Sequence, residues 1–531
     1  MAIEMTAQSL AEFVGRTAGK YPDRLAVASE SARYSYRELT ERVRVLASFL
    51  LEQGVQPGEP VAVLTTPRAD SYALFLAINA IGAIWLGISP RYTLPEVLYV
   101  MNDARPRFLL FIDRFREQEF LSIAQEAKTS CPFLESMYCL DGDASVAVPL
   151  ETALGGTKHI RQRYEDILIG DDRANNAAIL VYTSGSTGKP KGAPLSNRAM
   201  IRRSLNQLVQ WPVSDYPRLY NPYPMNHIGG MHWVSSYGIV GEGTIHFREK
   251  FEGDEVPDLV EQNKINVLEL FPTMYKMVLD SPKFDPAKFA SIEWHIFSGA
   301  QMPIELLRIL DKMPGKIGTS FGMTETCGSV TYAAPDTDLA TLAITIGRSS
   351  PEGEVRVFHA ENRICREGEV GEIQVRRDYC TVGYFNRPDA TASAFTADGW
   401  FKSGDLAEVM PEGNLRFVGR TSDMFKSGGF NVYPREIELA LEAHPSVLQA
   451  AVVGIFHPVF GEVGYAVVSL KAEADTDAAA LKEWCRGRLS DYKRPKHIEI
   501  RAELPLLPVG KVDKVLLRAQ IVVMKTAMPM P

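Results

Sequence analysis

Residues with the densest chemical potential lie between Thr183 and Gly192, reading Thr-Ser-Gly-Ser-Thr-Gly-Lys-Pro-Lys-Gly. Ser184, Ser186 and Thr187 supply hydroxyl donors, and Gly185 and Gly188 let backbone N–H groups approach a ligand closely. Lys189 and Lys191 offset negative charge, so the segment suits a polyphosphate. It is not a Walker A loop. Gly185 to Lys189 is too short a spacing, and Pro190 stands where Ser or Thr would hold magnesium.

A loop of this kind needs a rigid strand before it, and the apolar run Ala178–Val181 provides one. Leu10–Tyr21 and Tyr36–Gln53 carry apolar residues at helical spacing. Pro60–Thr66, Phe108–Ile112, Val267–Phe271 and Glu293–Phe297 are short apolar or β-branched runs bounded by loops. Such alternation predicts α/β layers with largely parallel sheets. Tyr72–Ile88 is apolar but interrupted by Asn79, and reads as a buried helix passing into a strand rather than a membrane span. Beyond a stretch dense in Gly, Ser and basic residues, Arg416–Pro434, the pattern becomes compact. Helix Arg435–Ala443, strands Leu448–Ile455 and Tyr465–Lys471, helix Asp477–Leu489 and strand His497–Arg501 suffice for an independent α+β domain of about 110 residues. Two domains are therefore expected, 1–419 and 420–531, with Val522–Pro531 as a frayed tail.

With 531 residues the chain exceeds one ordinary core. The 57 basic and 65 acidic residues give a net charge of -8, and no basic face for nucleic acid emerges. Six cysteines without a C-x-x-C pair argue against a metal cluster or a disulfide framework. No secretory signal pattern opens the chain, so a cytoplasmic location without membrane insertion is expected. A homodimer is compatible with all of this.

The Thr183–Gly192 segment resembles the phosphate loop of the acyl-adenylate-forming superfamily, which includes acyl-CoA synthetases, peptide-synthetase adenylation domains and beetle luciferases. Further motifs follow in that superfamily's order. Phe321-Gly322-Met323-Thr324-Glu325 resembles its aromatic-Gly-x-Thr-Glu element. The resemblance implies that Glu325 ligates magnesium, Thr324 contacts phosphate and Phe321 stacks on adenine. Ser298-Gly299-Ala300 resembles the segment beside adenine, and Asp405 within Lys402-Ser-Gly-Asp-Leu406 the carboxylate that receives both ribose hydroxyls. Val418–Glu438 is similar to the hinge and coenzyme A segment. Arg420 would contact ribose or phosphate, Ser422 would be the hinge, and Lys426, Ser427, Gly428, Gly429 and Phe430 would line the coenzyme A path. Lys511, in Leu507-Pro-Val-Gly-Lys-Val-Asp513, would bridge the substrate carboxylate and the ATP α-phosphate.

The resemblance implies a large N-terminal α/β domain of layered sheets and helices, a small mobile α+β lid, and ATP, Mg2+ and coenzyme A as cofactors. It implies ATP-dependent activation of a carboxylic acid as acyl-AMP, then transfer to coenzyme A. Tyr220–Trp233 occupies the position of an aromatic-Pro-x-x-His segment, which would put His227 near the carboxylate and Gly229, Gly230, Met231 and Trp233 around the acyl group. No Asp or Glu lies between Met225 and Val240, which disfavours an α-amino acid and favours an apolar one: aromatic, alicyclic or medium-chain. The rival within the family is an acyl-AMP ligase loading a carrier-protein phosphopantetheine. From another class, a nucleotide-binding protein without catalysis is opposed by intact Glu325, Asp405, Arg420 and Lys511.

Overall fold

Short apolar runs become strands and amphipathic runs become helices, close to the boundaries their patterns set. The computed structural model describes residues 9–142, 146–155, 175–183, 190–350, 354–428, 430–472, 474–506 and 512–527. Helices Leu10–Lys20 and Tyr36–Glu52 begin at serine caps, Ser9 and Ser35, whose hydroxyls accept from the backbone three residues on. The apolar run after Ala69 divides as expected, into helix Ala69–Ala80, buried along its whole length, and strand Ile84–Ile88. Among the described residues no helix is long and apolar enough to cross a membrane.

The chain forms two compact units: residues 1–355 with 375–401, and residues 356–374 with 402–531. Among the described residues, the first unit is built on a nine-stranded and a seven-stranded sheet. In the larger sheet six adjacent strands run parallel, in the order Lys316–Met323, Trp294–Ser298, Val267–Leu270, Arg218–Asn221, Thr244–Phe247 and Leu25–Ala28. In the smaller sheet Ala177–Thr183 lies parallel to Ile84–Ile88 and antiparallel to Lys191–Ser196.

Alternation along each strand explains the layering. Val61 and Val63 join a core that also holds Val27, Ile245 and Phe247 of the other sheet and the helices Leu10–Lys20, Tyr36–Glu52 and Ala69–Ala80. Ala62 and Leu64 face the opposite way, onto helices Leu94–Ala104 and Leu121–Ser130. On the larger sheet Leu268 and Leu270 pack on helices Val256–Asn263, Pro272–Leu279 and Ile304–Leu310. The result is helices, sheet, shared helices, sheet, helices. Within the shared layer Ala69–Ala80 is covered on every side, which is why it lacks the polar stripe that Leu10–Lys20 and Tyr36–Glu52 carry.

The second unit centres on the long hairpin Val447–His457 and Gly461–Leu470, with His497–Ile500 parallel alongside. Val452, Ala466 and Val468 face Ile437 and Leu441 of helix Pro434–Glu442 and Leu481 and Cys485 of helix Ala478–Arg486. Val453, Tyr465 and Val467 face the other way, onto Leu517 and Ile521. These two belong to helix Lys514–Ala527, which corrects the expectation of a frayed tail for residues 522–527. Asp513 Oδ1 accepts from Leu516 N, capping that helix, and burying Leu517 and Ile521 stabilises it by roughly 1.5–3 kcal/mol per side chain.

Candidate active site

The carboxyl ends of parallel strands are where open α/β sheets bind ligands, and in the first unit Thr183, Ser298 and Glu325 lie at or just beyond such ends. Thr183 ends its strand and pairs in register with Lys191, so the chain returns antiparallel after the expected phosphate loop. Ser184, Gly185, Ser186, Thr187, Gly188 and Lys189 lie outside the described residues. In the larger sheet Ser298 ends one parallel strand and pairs with Ser320 on the next, one residue before Phe321. Ser298 thus ends its strand next to Ser320, with Gly299 and Ala300 following it and the half-buried Phe321 one residue beyond on the neighbouring strand.

The Phe321–Glu325 motif sits on a hairpin. The strand Lys316–Met323 turns through Thr324–Cys327 into the antiparallel strand Gly328–Tyr332. A Cβ on Gly322 would lie 2.0 Å from the Gly328 carbonyl oxygen, so glycine is required there. Thr326 Oγ1 bonds Met323 N and Gly328 O and closes the turn. Arg203, buried and paired with Glu354, donates from Nε to the Thr326 carbonyl at 3.1 Å.

This scaffold presents Glu325, which is 9% exposed. Its Oε1 accepts from Thr183 Oγ1 at 3.3 Å and from Tyr384 O–H at 3.0 Å. Lys191 Nζ stands 5.3 Å from the Tyr384 ring centroid. The segment carrying Tyr384 is tied down along its length: Thr381 N donates to Glu325 O, Thr381 Oγ1 to Pro194 O and Phe385 N to Gly192 O. One carboxylate therefore joins the ends of strands from both sheets.

The expected acyl segment is a π-helical turn, Gly229–Val234, with Gly229, Gly230, Met231 and Trp233 all buried. Such turns leave carbonyls without helical partners. Here Gly230 O receives Asn221 Nδ2 and Ser235 Oγ instead. Half-buried His227 accepts at Nδ1 from Gly229 N, which leaves its proton on Nε2. Trp233 stacks on Phe271 at 6.3 Å between centroids, and Tyr223 packs edge-on to Phe271. A Cβ at Gly299 would lie 3.1 Å from the Phe271 ring, so this aromatic group adjoins the expected adenine segment.

Within the second unit, Asp405 and Arg420 face each other across adjacent strands, Oδ1 to Nε 3.0 Å. Ser403 Oγ donates to Ile373 O and accepts from Asp405 N, a structural role for the hydroxyl of that motif. Ser422 lies in the exposed turn after Arg420 and bonds Asp423. Lys426 and Ser427 form one strand of a hairpin and Phe430 opens the other; Gly428, at φ +58°, donates to Phe460 O. Phe430 is 59% exposed and stacks on Tyr492. Gly429 and Lys511 lie outside the described residues, although Val512, next to Lys511, bridges to Leu506.

Residues 14–385 match the pattern of the AMP-binding enzyme family, and residues 436–511 match its C-terminal domain. The chain belongs to the AMP-binding enzyme family. It is 30% identical over 529 residues to an indoleacetate–CoA ligase of Aromatoleum aromaticum, covering 98% of this chain and 99% of that one. A feruloyl-CoA synthase of Amycolatopsis is 30% identical over 514 residues, covering 96% and 98%. Among solved structures, ATP-bound MatB from Rhodopseudomonas palustris agrees at a TM-score of 0.84 and 29% identity, covering 96% and 98%. The protein is thus an AMP-forming carboxylate–CoA ligase, with ATP and coenzyme A as its co-substrates.

In this ligase Glu325 fits the demands of magnesium. Oε1 is engaged by two neutral hydroxyls, whereas Oε2 has no hydrogen-bond partner and the carboxylate no ion pair among the described residues. A small hard cation is held in just this way, by one or two carboxylates plus substrate phosphates. The structure brings three residues up to these segments that sequence reasoning missed. Tyr384 sits in a loop with no distinguishing spacing, and Phe271 reads as the end of a strand. Glu269, in the middle of an apolar strand, shows only as a charge where none belongs. Burial holds its carboxyl well above the usual range, and burial likewise pushes up the neighbouring phenols of Tyr223 and Tyr237.

Proposed function

We propose that this ligase activates an apolar carboxylic acid, with an aromatic acid favoured over alicyclic and medium-chain ones, at the strand ends around Glu325. The observation that carries this reading is the Glu325 carboxylate, fixed at one oxygen by Thr183 and Tyr384 and open at the other, in a unit that also sets an aromatic group of Tyr223, Trp233 and Phe271 against Gly299. The acid's carboxylate oxygen attacks the α-phosphorus of ATP, the bond to the β-phosphate oxygen breaks, and pyrophosphate leaves with the charge. Magnesium on Glu325 supplies positive charge against the phosphate oxygens. Thr183, Lys191 and Thr324 orient the triphosphate, Phe321 and Ser298–Ala300 flank adenine, Asp405 and Arg420 take the ribose, and Lys511 draws the two reacting groups together. Preorganised donors of this kind stabilise the charge that builds up during transfer.

In the second half-reaction the coenzyme A thiol attacks the acyl carbonyl and AMP departs. A lysine and a thiol cannot occupy one place, so residues 420–531 turn about Ser422 and exchange Lys511 for the Lys426–Phe430 hairpin. His227 takes, in this reading, the acyl end of the thiol path. Release of pyrophosphate and consumption of coenzyme A, measured across a panel of aromatic, alicyclic and straight-chain acids, test the reading. Turnover restricted to acids carrying an α-ammonium group, or coenzyme A left unconsumed while adenylate forms, would overturn it.

A further inference from the structure

From the row of residues across the larger sheet, we infer that Glu269 determines specificity: its carboxyl receives a neutral hydrogen-bond donor, a phenolic hydroxyl or a ring N–H, at the far end of an aromatic acid. This rests on the proposed aromatic acid site and deepens it. Val267, Glu269 and Phe271 alternate onto one face of their strand. Glu269 pairs across the sheet with Ile296, and Ile296 with Gly318, above which a Cβ would lie 2.8 Å from Trp211 Nε1. Val267 and Ile296 pack with Trp211, Tyr223, Trp233, Tyr237 and Tyr332. Glu269 therefore stands in the same aromatic group as the expected acyl residue Trp233.

Depth follows from the strand. Phe271 lies beside Gly299 at the nucleotide edge and stacks on Trp233. Glu269 is two residues further in, roughly 6.6 Å at strand rise, about the length of an aromatic ring with its substituent. It is 0% exposed, and among the described residues neither of its oxygens has a hydrogen-bond partner. Buried polar groups normally find partners, and one that does not calls for an explanation, which an arriving donor supplies here. No Lys or Arg pairs with this carboxyl among the described residues, and burial keeps it neutral, which suits a neutral donor better than an ammonium group. The indole Nε1 groups of Trp211 and Trp233 are also buried without hydrogen-bond partners among the described residues.

The test compares kcat/KM for paired acids that differ by one donor: 3-(4-hydroxyphenyl)propanoate against 3-phenylpropanoate, and indole-3-acetate against its N-methyl derivative. The parent enzyme should prefer the donor-bearing member by on the order of 10²–10⁴, as sites built around a buried polar partner do. Glu269→Leu and the equally bulky Glu269→Met should bring each ratio within about tenfold of unity. Glu269→Gln, which keeps an acceptor, should retain most of the preference. A parent ratio near one overturns the proposal without any variant. So does a preference that survives in the leucine or methionine enzyme, or a stronger preference for the 4-amino analogue. Turnover of donor-free acids alone removes the role of Glu269 and leaves the aromatic-acid reading standing, whereas no turnover of any aromatic acid removes both.

Discussion

Replacing Glu325 by Gln tests the centre of the site without disturbing its frame. The amide keeps an acceptor for Thr183 at 3.3 Å and Tyr384 at 3.0 Å, so the contacts that join the two sheets survive. What disappears is the charge. A unit charge 4 Å from a cation is worth about 4 kcal/mol at an effective dielectric near 20. Loss of one preorganised electrostatic group costs about 2.7–4 kcal/mol in comparable sites, a 10²–10³-fold fall in rate. Acid-dependent exchange of labelled pyrophosphate into ATP should fall by that amount and need more magnesium to recover. Conversion of supplied acyl-AMP and coenzyme A to thioester, which involves no pyrophosphate, should fall much less. Tyr384→Phe removes a hydrogen bond to the same carboxylate and should cost about tenfold in exchange. In the Glu325→Gln background it should cost little, because its effect passes through the charge. Exchange within about threefold of the parent in folded Glu325→Gln, or equal loss in both half-reactions, would refute the assignment of the metal to Glu325.

Three further outcomes follow from the same structure. Lys511→Ala should lose acyl-AMP formation by about 10²–10³ while still turning supplied acyl-AMP into thioester; equal loss of both steps would contradict the exchange of groups about Ser422. Glu354→Leu takes away the buried carboxylate that pairs with Arg203, and should destabilise the first unit by about 3–5 kcal/mol in denaturant titration, against little change for a double replacement of both residues by apolar ones. Burial lowers His232, His246 and His295 from 6.5 to about 3, 4 and 4, with Arg203 adding to the effect at His232 and Arg33 and Arg248 at His246. The unfolded chain then binds protons that the folded one refuses, so stability is present above pH 6.5 and is lost as pH falls toward 4, at about 1.4 kcal/mol per unit for each histidine. A melting temperature unchanged between pH 7 and pH 5 would speak against it.

Local pattern made the strands, the helices and the nucleotide motifs legible, because each rests on neighbours in sequence. Ala178–Val181 reads as a strand from its apolar run, and the structure extends it to Ala177–Thr183. What the pattern does not carry is which distant segments meet. Tyr384 reaches Glu325 only because Thr381 and Phe385 run along the strand Lys191–Ser196. The helix Lys514–Ala527 was hidden for a similar reason: its exposed Val515, Val522 and Val523 blur the apolar stripe, and only the sheet beneath Leu517 and Ile521 decides which face is inside. Counting acidic residues from 225 to 240 finds none near the acyl segment, yet a carboxyl enters the same aromatic group from position 269 on a different strand.

That difference in origin bears on how the two half-reactions can share one enzyme. Glu325 is held by hydroxyls from residues 183 and 384 and, through its neighbour Thr326, by the buried Arg203, three places far apart in the chain. A side chain set on a turn tied from so many places keeps its position whatever other parts of the chain do, so it suits a duty that persists for as long as the triphosphate is bound. Lys511 has the opposite setting: it adjoins Val512, whose unit has its own core around Val452 and Val467 and a capped helix behind it. Under the proposed mechanism, a group needed for adenylation and obstructive to the thiol is best carried by residues beyond Ser422, whose hydrophobic core is formed among themselves. On this argument, crosslinking residues on either side of Ser422 should hold the enzyme in one half-reaction and abolish the other. A crosslinked enzyme that completes both steps at the parent rate would remove the need for any turn about Ser422.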